Sequence, residues 1–132
     1  MLPPAYLDAS ALVKLAIRER ETPALERDVL GRSGLLTSRL GATELRRACA
    51  RTQRTPLLQQ VDDVIAAVFL IDVTPSILEA AGRLGPETLR TLDAIHLATL
   101  LSIGNSNIEL ITYDDRLASA ALKQGVQIRH PS

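Results

Sequence analysis

The chain has 132 residues, which is enough for one domain with a substantial hydrophobic core. Hydrophobic residues make up 46% of it and aromatic residues only 2%, so the sequence predicts a compact globule with an aliphatic core and argues against recognition by stacking bases on aromatic rings. The formal net charge is zero, with 15 acidic and 15 basic residues, so the composition as a whole supplies no positive excess for a nucleic-acid partner.

Targeting features are absent from the pattern. No apolar run approaches the roughly 20 residues that cross a bilayer, and the opening Met-Leu-Pro-Pro lacks a basic stretch ahead of a long apolar region. The single cysteine, Cys49, lies in a helical pattern and is interpreted as a small buried hydrophobe. We therefore expect a cytoplasmic protein.

Short apolar runs alternate with longer amphipathic segments along the chain, which predicts alternating strands and helices. In the first half the predicted elements are a strand at 5–7, a helix capped by Ser10, a helix at 22–30 with Pro23 in its first turn and Gly31 at its end, a strand at 35–37, a helix at about 40–52 and a helix from Thr55-Pro56 to about 68. In the second half they are a strand at 70–73, a helix from Thr74-Pro75 to 82–85, a helix at 92–103, a strand at 109–112, a helix at 114–124 and a strand at 126–129.

This alternation is typical of an α/β domain with a parallel sheet covered by helices on both faces. We expect a three-layer α/β/α architecture with four or five strands, and one domain over residues 1–132, because no internal repeat or linker interrupts the pattern. In such sheets the working site lies beyond the carboxyl ends of the strands.

Two acids follow predicted strands at that edge. Asp8 comes directly after the first strand, and Asp114 comes two residues after Thr112, the last residue of the fourth. Asp114 has an ordinary alternative role as the cap of the helix that follows it. Asp8 has less need of that role, since Ser10 is available as a cap.

Asp93 is the most informative acid. Its helix is apolar nearly all round, and Asp93 shares a stripe with Leu97 and Leu100 at helical spacing. An unpaired carboxylate on a buried helix costs several kcal/mol, so Asp93 needs a partner. A shared metal ion, a buried arginine and a backbone cap all remain open as that partner.

Glu44 and the histidines are less specific. Arg47 lies three residues after Glu44, so a surface ion pair is the ordinary interpretation of that acid. His96 shares a helical face with Asp93, and is interpreted either as a satisfied core histidine or as a hydrogen-bond partner near the site. His96 and His130 are the only histidines, which is too few for a zinc site.

Clustered carboxylates repel one another, and stay ionised together only around a strong positive charge. Oxygen ligands without cysteine or histidine favour Mg²⁺ or Mn²⁺, which keeps several waters and can activate one against a phosphate. The pattern therefore predicts phosphodiester hydrolysis by metal-activated water. A dehalogenase-type phosphatase would need a second Asp where Ser10 stands, and no glycine-rich phosphate loop is present.

Four segments together resemble, in order and over essentially the whole chain, the motifs of PIN-domain nucleases and especially of VapC toxins. They are Tyr6-Leu7-Asp8-Ala9-Ser10-Ala11-Leu12-Val13-Lys14-Leu15, Thr43-Glu44-Leu45-Arg46-Arg47-Ala48, Leu92-Asp93-Ala94-Ile95-His96-Leu97-Ala98 and Leu110-Ile111-Thr112-Tyr113-Asp114-Asp115-Arg116-Leu117. The resemblance implies a Mg²⁺- or Mn²⁺-dependent endoribonuclease that serves as the toxin of a toxin–antitoxin pair. It also implies a homodimer, and a VapB-type antitoxin that inserts a segment into the active-site groove.

The same resemblance implies a role for each matching residue. Asp8, Asp93 and Asp114 are expected to hold the metal, and Glu44 is the remaining catalytic acid. Two hydroxyls are expected to organise the site by hydrogen bonds; they are Ser10 and Thr112.

Two choices stay open. The Thr-x-Asp spacing favours Asp114 over Asp115 as the fourth acid. The basic group Arg46, Arg47, Arg51 and Arg54 is expected either to line an RNA groove, to pair with an acidic antitoxin, or to form a solvated helix face. If four acids are gathered in one site, 11 remain against 15 bases, which favours an anionic partner.

The alternatives to a toxin are a PIN nuclease of RNA processing and a catalytically idle PIN-fold binding module.

Overall fold

The computed structural model describes residues 1–52 and 57–132. Five strands form one sheet, namely β1 (Ala5–Leu7), β2 (Leu35–Ser38), β3 (Phe69–Ile71), β4 (Glu109–Ile111) and β5 (Ile128–Arg129). The helices of the described residues are α1 (Ala9–Ala16), α2 (Thr22–Leu30), α3 (Arg39–Ala50), α4 (Leu57–Ala66), α5 (Pro75–Gly82), α6 (Thr91–Ser102) and α7 (Asp115–Lys123). None of the helices in those two ranges is long and apolar enough to cross a membrane.

The strands lie in the order β3-β2-β1-β4-β5, and every neighbouring pair is parallel. In the centre, Tyr6 of β1 pairs in register with Leu36 of β2 and with Leu110 of β4. The parallel sheet is confirmed, with five strands. The chain builds outward from β1 in one direction through β2 and β3, and in the other through β4 and β5. The gap between the ends of β1 and β4 is therefore the topological switch point, where sheets of this type bind ligands.

The two faces of the sheet bury different helices, as alternation along β1 requires. Leu7 and Ile111 pack in the cluster that covers one face with residues of α1 to α4, including the fully buried Leu45. Tyr6 and Leu110 pack on the other face with α6 and α7. This is the predicted three-layer arrangement. Cys49 lies in the first cluster as a buried hydrophobe, and burial raises the pKa of its thiol.

Most predicted boundaries differ from the structure by one or two residues. The prediction that Ser10 caps the first helix is wrong. α1 begins directly at Ala9, so Asp8 is its N-cap and accepts a hydrogen bond from the Ala11 backbone N–H. The reason is that β1 ends at Leu7 with no intervening loop, which leaves only Asp8 in the extended cap position. The Thr55-Pro56 start of the fourth helix lies outside the described residues.

A buried ion network lies at the amino ends of the strands, opposite the switch point. The Arg32 guanidinium donates to both carboxylate oxygens of Asp28, at 2.8 and 3.1 Å, and to Oε1 of Glu109 at 2.5 Å. It also donates to the carbonyl of Pro3. Because Glu109 begins β4 and Arg32 lies ahead of β2, the network fixes the amino ends of the strands whose carboxyl ends form the site.

Candidate active site

Asp8 is the most buried of the predicted site acids, with 3% of its surface exposed. Its Oδ1 accepts hydrogen bonds from the Ser10 hydroxyl at 2.6 Å and from the Ala11 N–H at 3.2 Å. Its Oδ2 accepts one from the Thr112 hydroxyl at 2.7 Å. Thr112 follows β4 directly, so this bond spans the switch point.

Burial raises the pKa of the Asp8 carboxyl, while the donors from Ser10, Thr112 and Ala11 act against that rise by favouring the ionised form. The site therefore holds a carboxylate that is well supplied with hydrogen bonds and short of solvent. A neighbouring cation would offset the remaining cost of burying this charge.

The two hydroxyls also hold the loop that follows β4. Ser10 Oγ accepts the backbone N–H of Tyr113 at 2.9 Å, and Thr112 Oγ1 accepts that of Asp114 at 3.0 Å. The predicted hydrogen bonding of Ser10 and Thr112 is thus observed. Each hydroxyl donates to Asp8 and accepts from the loop, so Asp8 and Asp114 are set relative to each other.

Asp114 both caps a helix and lines the acidic cavity. It is the N-cap of α7, because its Oδ1 accepts from the backbone N–H groups of Arg116 and Leu117. It also lines the same cavity as Asp8. Asp115 is exposed in the first turn of α7, where a negative charge is favoured by the helix dipole. The position of Asp114 supports it over Asp115 as the fourth acid.

Asp93 lies half-buried in the first turn of α6, at the rim of this cavity. In the described ranges, neither an arginine nor a backbone N–H group bonds to its carboxylate. Its pKa is raised to about 6, first by burial and then by the negative charges of Asp114 and Asp8. Since this value exceeds the ordinary 3.8, Asp93 makes the metal-free fold less stable as the pH rises from about 3.8 to about 6.

Glu44 has a different partner from the one that its sequence neighbours suggest. It does not pair with Arg47; its Oε1 lies 2.6 Å from Nε2 of His96. His96 is 2% exposed, and its other ring nitrogen, Nδ1, lies 2.8 Å from the hydroxyl of Tyr6. The histidine is therefore satisfied in the core and also bonded at the site. Tyr6 was not singled out from the sequence, because a lone tyrosine in a buried strand resembles ordinary core.

The acids converge on one cavity of about 320 Å³ at the switch point. It is lined by Asp8, Ala9, Ser10, Glu44, Arg90, Thr91, Leu92, Asp93, His96 and Asp114. All four predicted acids are present, on α1, α3, α6 and the start of α7. Their loops and helices begin at the carboxyl edge of the sheet, which is why residues up to 106 positions apart meet.

The donor set fits a hard divalent cation such as Mg²⁺ or Mn²⁺. The oxygens it offers belong to carboxylates and a hydroxyl, and the negative charges of Asp114, Asp8 and Glu44 add to burial in raising the pKa of Asp93. As the side chains stand, no group of three acidic, histidine or cysteine residues in the described ranges encloses a single ion. Mg²⁺ usually keeps several waters and binds few protein ligands directly, so an open set of carboxylates suits it.

The predicted basic group is divided by the structure. Arg46 is directed toward α4 and pairs with Asp62 at 3.2 Å. Arg47 and Arg51 instead line a groove of about 680 Å³ beside the acidic cavity. No acid of the described residues lies within ion-pair distance of either. Arg54 lies outside the described residues.

The far wall of this groove comes from α1 and from Tyr113, and Ser10, Glu44 and Leu92 line both the groove and the acidic cavity. Lys14 also lines the groove, but its charge is already engaged: Nζ pairs with Glu19 at 2.9 Å and Glu21 at 3.1 Å. Its ammonium group stands 4.8 Å from the centre of the Tyr113 ring. The groove and the cavity therefore form one continuous surface that passes from acidic to basic.

Comparison with known proteins bears on this site. The PIN domain family matches residues 5–123. The chain is 41% identical over 133 residues to Ribonuclease VapC46 of Mycobacterium tuberculosis, covering 96% of this chain and 97% of the relative. It is 35% identical to Ribonuclease VapC47 of the same species, with 96% of both chains covered.

Solved structures share the fold. The crystal structure of VapBC2 from Rickettsia felis bound to a DNA fragment from their promoter superposes with a TM-score of 0.76 at 11% identity, covering 98% of this chain and 99% of the other. Mycobacterium tuberculosis VapC20, described as a sarcin-ricin loop cleaving toxin, gives a TM-score of 0.71 at 16% identity, covering 88% and 94%.

The mutual influence of the acids can be measured directly. Asp114→Asn removes one of the charges that raise the pKa of Asp93, while Asn can still cap α7. We expect the pKa of Asp93 in metal-free protein to fall from about 6 toward 3.8, as followed by carboxyl ¹³C shifts against pH. Asp115→Asn is the matched control and should change it less. A larger shift from Asp115→Asn would contradict the assignment of Asp114.

Proposed function

Because the chain belongs to the VapC ribonucleases of the PIN-domain family, we propose that it is a Mg²⁺- or Mn²⁺-dependent endoribonuclease and the toxin of a VapBC-type pair. The observation that carries the proposal is the convergence of Asp8, Glu44, Asp93 and Asp114 at the switch point of the sheet. A catalytically idle binding module would have no need to keep four mutually repelling acids in one cavity. The site is built for a cation and a phosphate.

In this proposal Asp8, Asp93 and Asp114 are the carboxylates that hold the metal. When bound, the ion supplies a water activated for attack and positive charge against the phosphate. Ser10 and Thr112 keep both oxygens of Asp8 oriented by donating to them. Asp114 reaches the same place because capping α7 fixes its carboxylate through Oδ1 and leaves Oδ2 available.

Asp93 and Glu44 form the opposite side of the cavity. Asp93 holds a proton below about pH 6 and is ionised above it, so its capacity to hold a cation rises with pH through that range. Glu44 is fixed through Oε1 by His96. With Oε1 engaged, its Oε2 is free to orient the attacking water or to accept a proton from it.

We assign the RNA to the groove that continues from the cavity. Glu44 and Arg47 lie on α3 and Arg51 is its C-cap, so the three follow the spacing i, i+3 and i+7 along one face, about one turn, roughly 5 Å, apart. A strand whose scissile phosphate lies at the acids would meet Arg47 and then Arg51 with its next phosphates. We assign no RNA contact to Arg46, since it does not line the groove and it pairs with Asp62 of α4.

A VapB-type antitoxin and a homodimer complete the proposal. Solved structures of this fold include VapBC2 of Rickettsia felis and a toxin–antitoxin complex from Klebsiella pneumoniae, which supports an antitoxin partner for this chain. Occupation of the acidic cavity by an antitoxin segment would block the proposed RNA path. We also propose action in the cytoplasm, where the RNA substrate is found.

Cleavage of RNA is the direct test. Wild-type protein with Mg²⁺ or Mn²⁺ should cut a structured RNA, and Asp8→Asn or Asp93→Asn should each lower the rate by at least about 100-fold, because each removes charge from the site. Asp115→Asn is the matched control and should cut nearly as fast as the wild type. Excess chelator should abolish cutting.

Three outcomes would contradict parts of this scheme. Equal cutting by the wild type and both site variants would sink the assignment of the acids. Full cutting in excess chelator would sink the metal requirement alone. Cleavage restricted to a precursor RNA, at a maturation site, would replace the toxin by a nuclease of RNA processing.

The groove makes a separate prediction. Arg47→Ser and Arg51→Ser should each weaken binding of single-stranded RNA and reduce the slope of log affinity against log salt by about 0.7, the value for one phosphate contact on a single strand. Binding is measured by fluorescence anisotropy without added metal. Each arginine substitution is combined with Asp8→Asn, so that the RNA is not cut. Arg46→Ser is the control and should keep the slope. An equal loss in all three variants would favour a diffuse positive face over the groove.

A further inference from the structure

A hydrogen-bonded chain of three side chains extends from the core to the rim of the acidic cavity. The Tyr6 hydroxyl lies 2.8 Å from His96 Nδ1, and His96 Nε2 lies 2.6 Å from Glu44 Oε1. An ionised carboxylate can only accept, so Nε2 must donate to Glu44. In a neutral ring Nδ1 is then the acceptor, and the Tyr6 hydroxyl must be its donor.

Tyr6 is suited to remain that donor. Burial, followed by the negative charge of Asp8, raises the pKa of its phenol well above the ordinary 10, so the hydroxyl keeps its proton throughout the physiological range. With a neutral imidazole, both hydrogen bonds therefore run in the same direction, from the phenol through the imidazole to the carboxylate.

The imidazole is packed on two sides. The rings of Tyr6 and His96 meet edge to face, with centroids 5.8 Å apart and planes at 76°. On the other side, a Cβ on Gly41 would come within 3.2 Å of His96 Cε1 and 2.5 Å of Thr37 Oγ1. Only glycine lets α3 approach this closely, and that approach is what brings Glu44 within reach of the ring.

We propose that His96 is a positioning residue, which holds the Glu44 carboxylate in the active site against the repulsion of the other acids. This inference rests on the proposed nuclease function. Glu44 is itself one of the negative charges that raise the pKa of Asp93, so the acids favour its departure toward solvent. The short bond from Nε2 retains it. Within the described residues nothing donates to its Oε2, which is left to face water, substrate or cation.

This hydrogen-bonded chain also links the position of Glu44 to that of Asp8. Tyr6 lies in β1, and Asp8 follows the last residue of β1 with extended backbone, so side chains two residues apart lie on the same side of this extended segment. The Tyr6 hydroxyl sets His96, and His96 sets Glu44, so the acid on α3 and the acid after β1 share one rigid reference.

Two polar substitutions at the same buried position separate the two ends of the chain. The amide nitrogen of Gln reaches about as far as Nε2, so His96→Gln keeps the donor to Glu44. The shorter Asn reaches only about the position of Nδ1, so His96→Asn keeps the contact with Tyr6 and loses Glu44. Both variants lose the ring and both leave a polar group in the core, so they are matched in structural disturbance.

Metal-dependent RNA cleavage should distinguish them. We expect His96→Asn to lower kcat about 10- to 100-fold with little change in KM, which is the usual range for loss of a residue that orients an active-site ligand. His96→Gln should restore kcat to within about threefold of the wild type. Thermal unfolding is measured on both, to show that each is folded. Equal kcat values for the two folded variants would overturn the proposal.

The orientation of the ring is tested without RNA or metal. In ¹⁵N-labelled wild-type protein, His96 should show one protonated ring nitrogen, Nε2, and one unprotonated nitrogen, Nδ1, shifted by its bond from Tyr6. Tyr6→Phe should move the Nδ1 resonance, and Glu44→Ala should move Nε2. A ring protonated at Nδ1 alone would overturn the proposed hydrogen bond from His96 to Glu44, even if RNA is cut. Wild-type protein that cuts no RNA while showing the expected tautomer would contradict the nuclease assignment and leave this ring orientation established.

Discussion

Repulsion between carboxylates is the constraint on which the rest of this structure depends. Four acids face one cavity at the switch point of the sheet, and the negative charges of Asp114, Asp8 and Glu44 add to burial in raising the pKa of Asp93. Each acid is held there by a separate device. Asp8 is held by three hydrogen-bond donors, Asp114 by capping α7, Glu44 by His96, and Asp93 by the buried helix that carries it.

The interactions that hold these acids are also ordinary structural features of the fold. The N-caps of α1 and α7 are both site acids, so at these two positions one side chain both caps a helix and places a carboxylate in the cavity. The hydroxyls of Ser10 and Thr112 join the two caps across β1 and β4. The site is therefore stabilised by the local structure of the sheet edge, and the charge it gathers is what a divalent cation would neutralise.

Much of this arrangement follows from sequence pattern. Apolar runs ending at Asp8 and just before Asp114 were enough to place both at the carboxyl edge of a parallel sheet, because side-chain period and strand direction are local properties. The apolar surroundings of Asp93 predicted a carboxylate in need of a partner. The four motifs together, by resemblance, supplied the ribonuclease family that the comparisons then showed.

What pattern missed depends on contacts between distant segments. Ser10 is a good capping residue, yet the absence of a loop after β1 gives the cap to Asp8. Arg47 lies near Glu44 in sequence, yet His96, 52 residues away, is its partner, because Gly41 lets α3 approach α6. Arg46 and Arg47 are adjacent and chemically identical, and only the position of Asp62 on α4 separates their roles.

The claim that this cavity is a cation site is tested most directly by Mn²⁺ binding, followed by the loss of the free-ion signal in electron paramagnetic resonance. The account predicts that wild-type protein binds Mn²⁺ in competition with Mg²⁺, more tightly above pH 6 than below it. Asp93→Asn should weaken binding by at least about tenfold. Unchanged Mn²⁺ affinity in Asp93→Asn, or no binding by the wild type at pH 8, would contradict it.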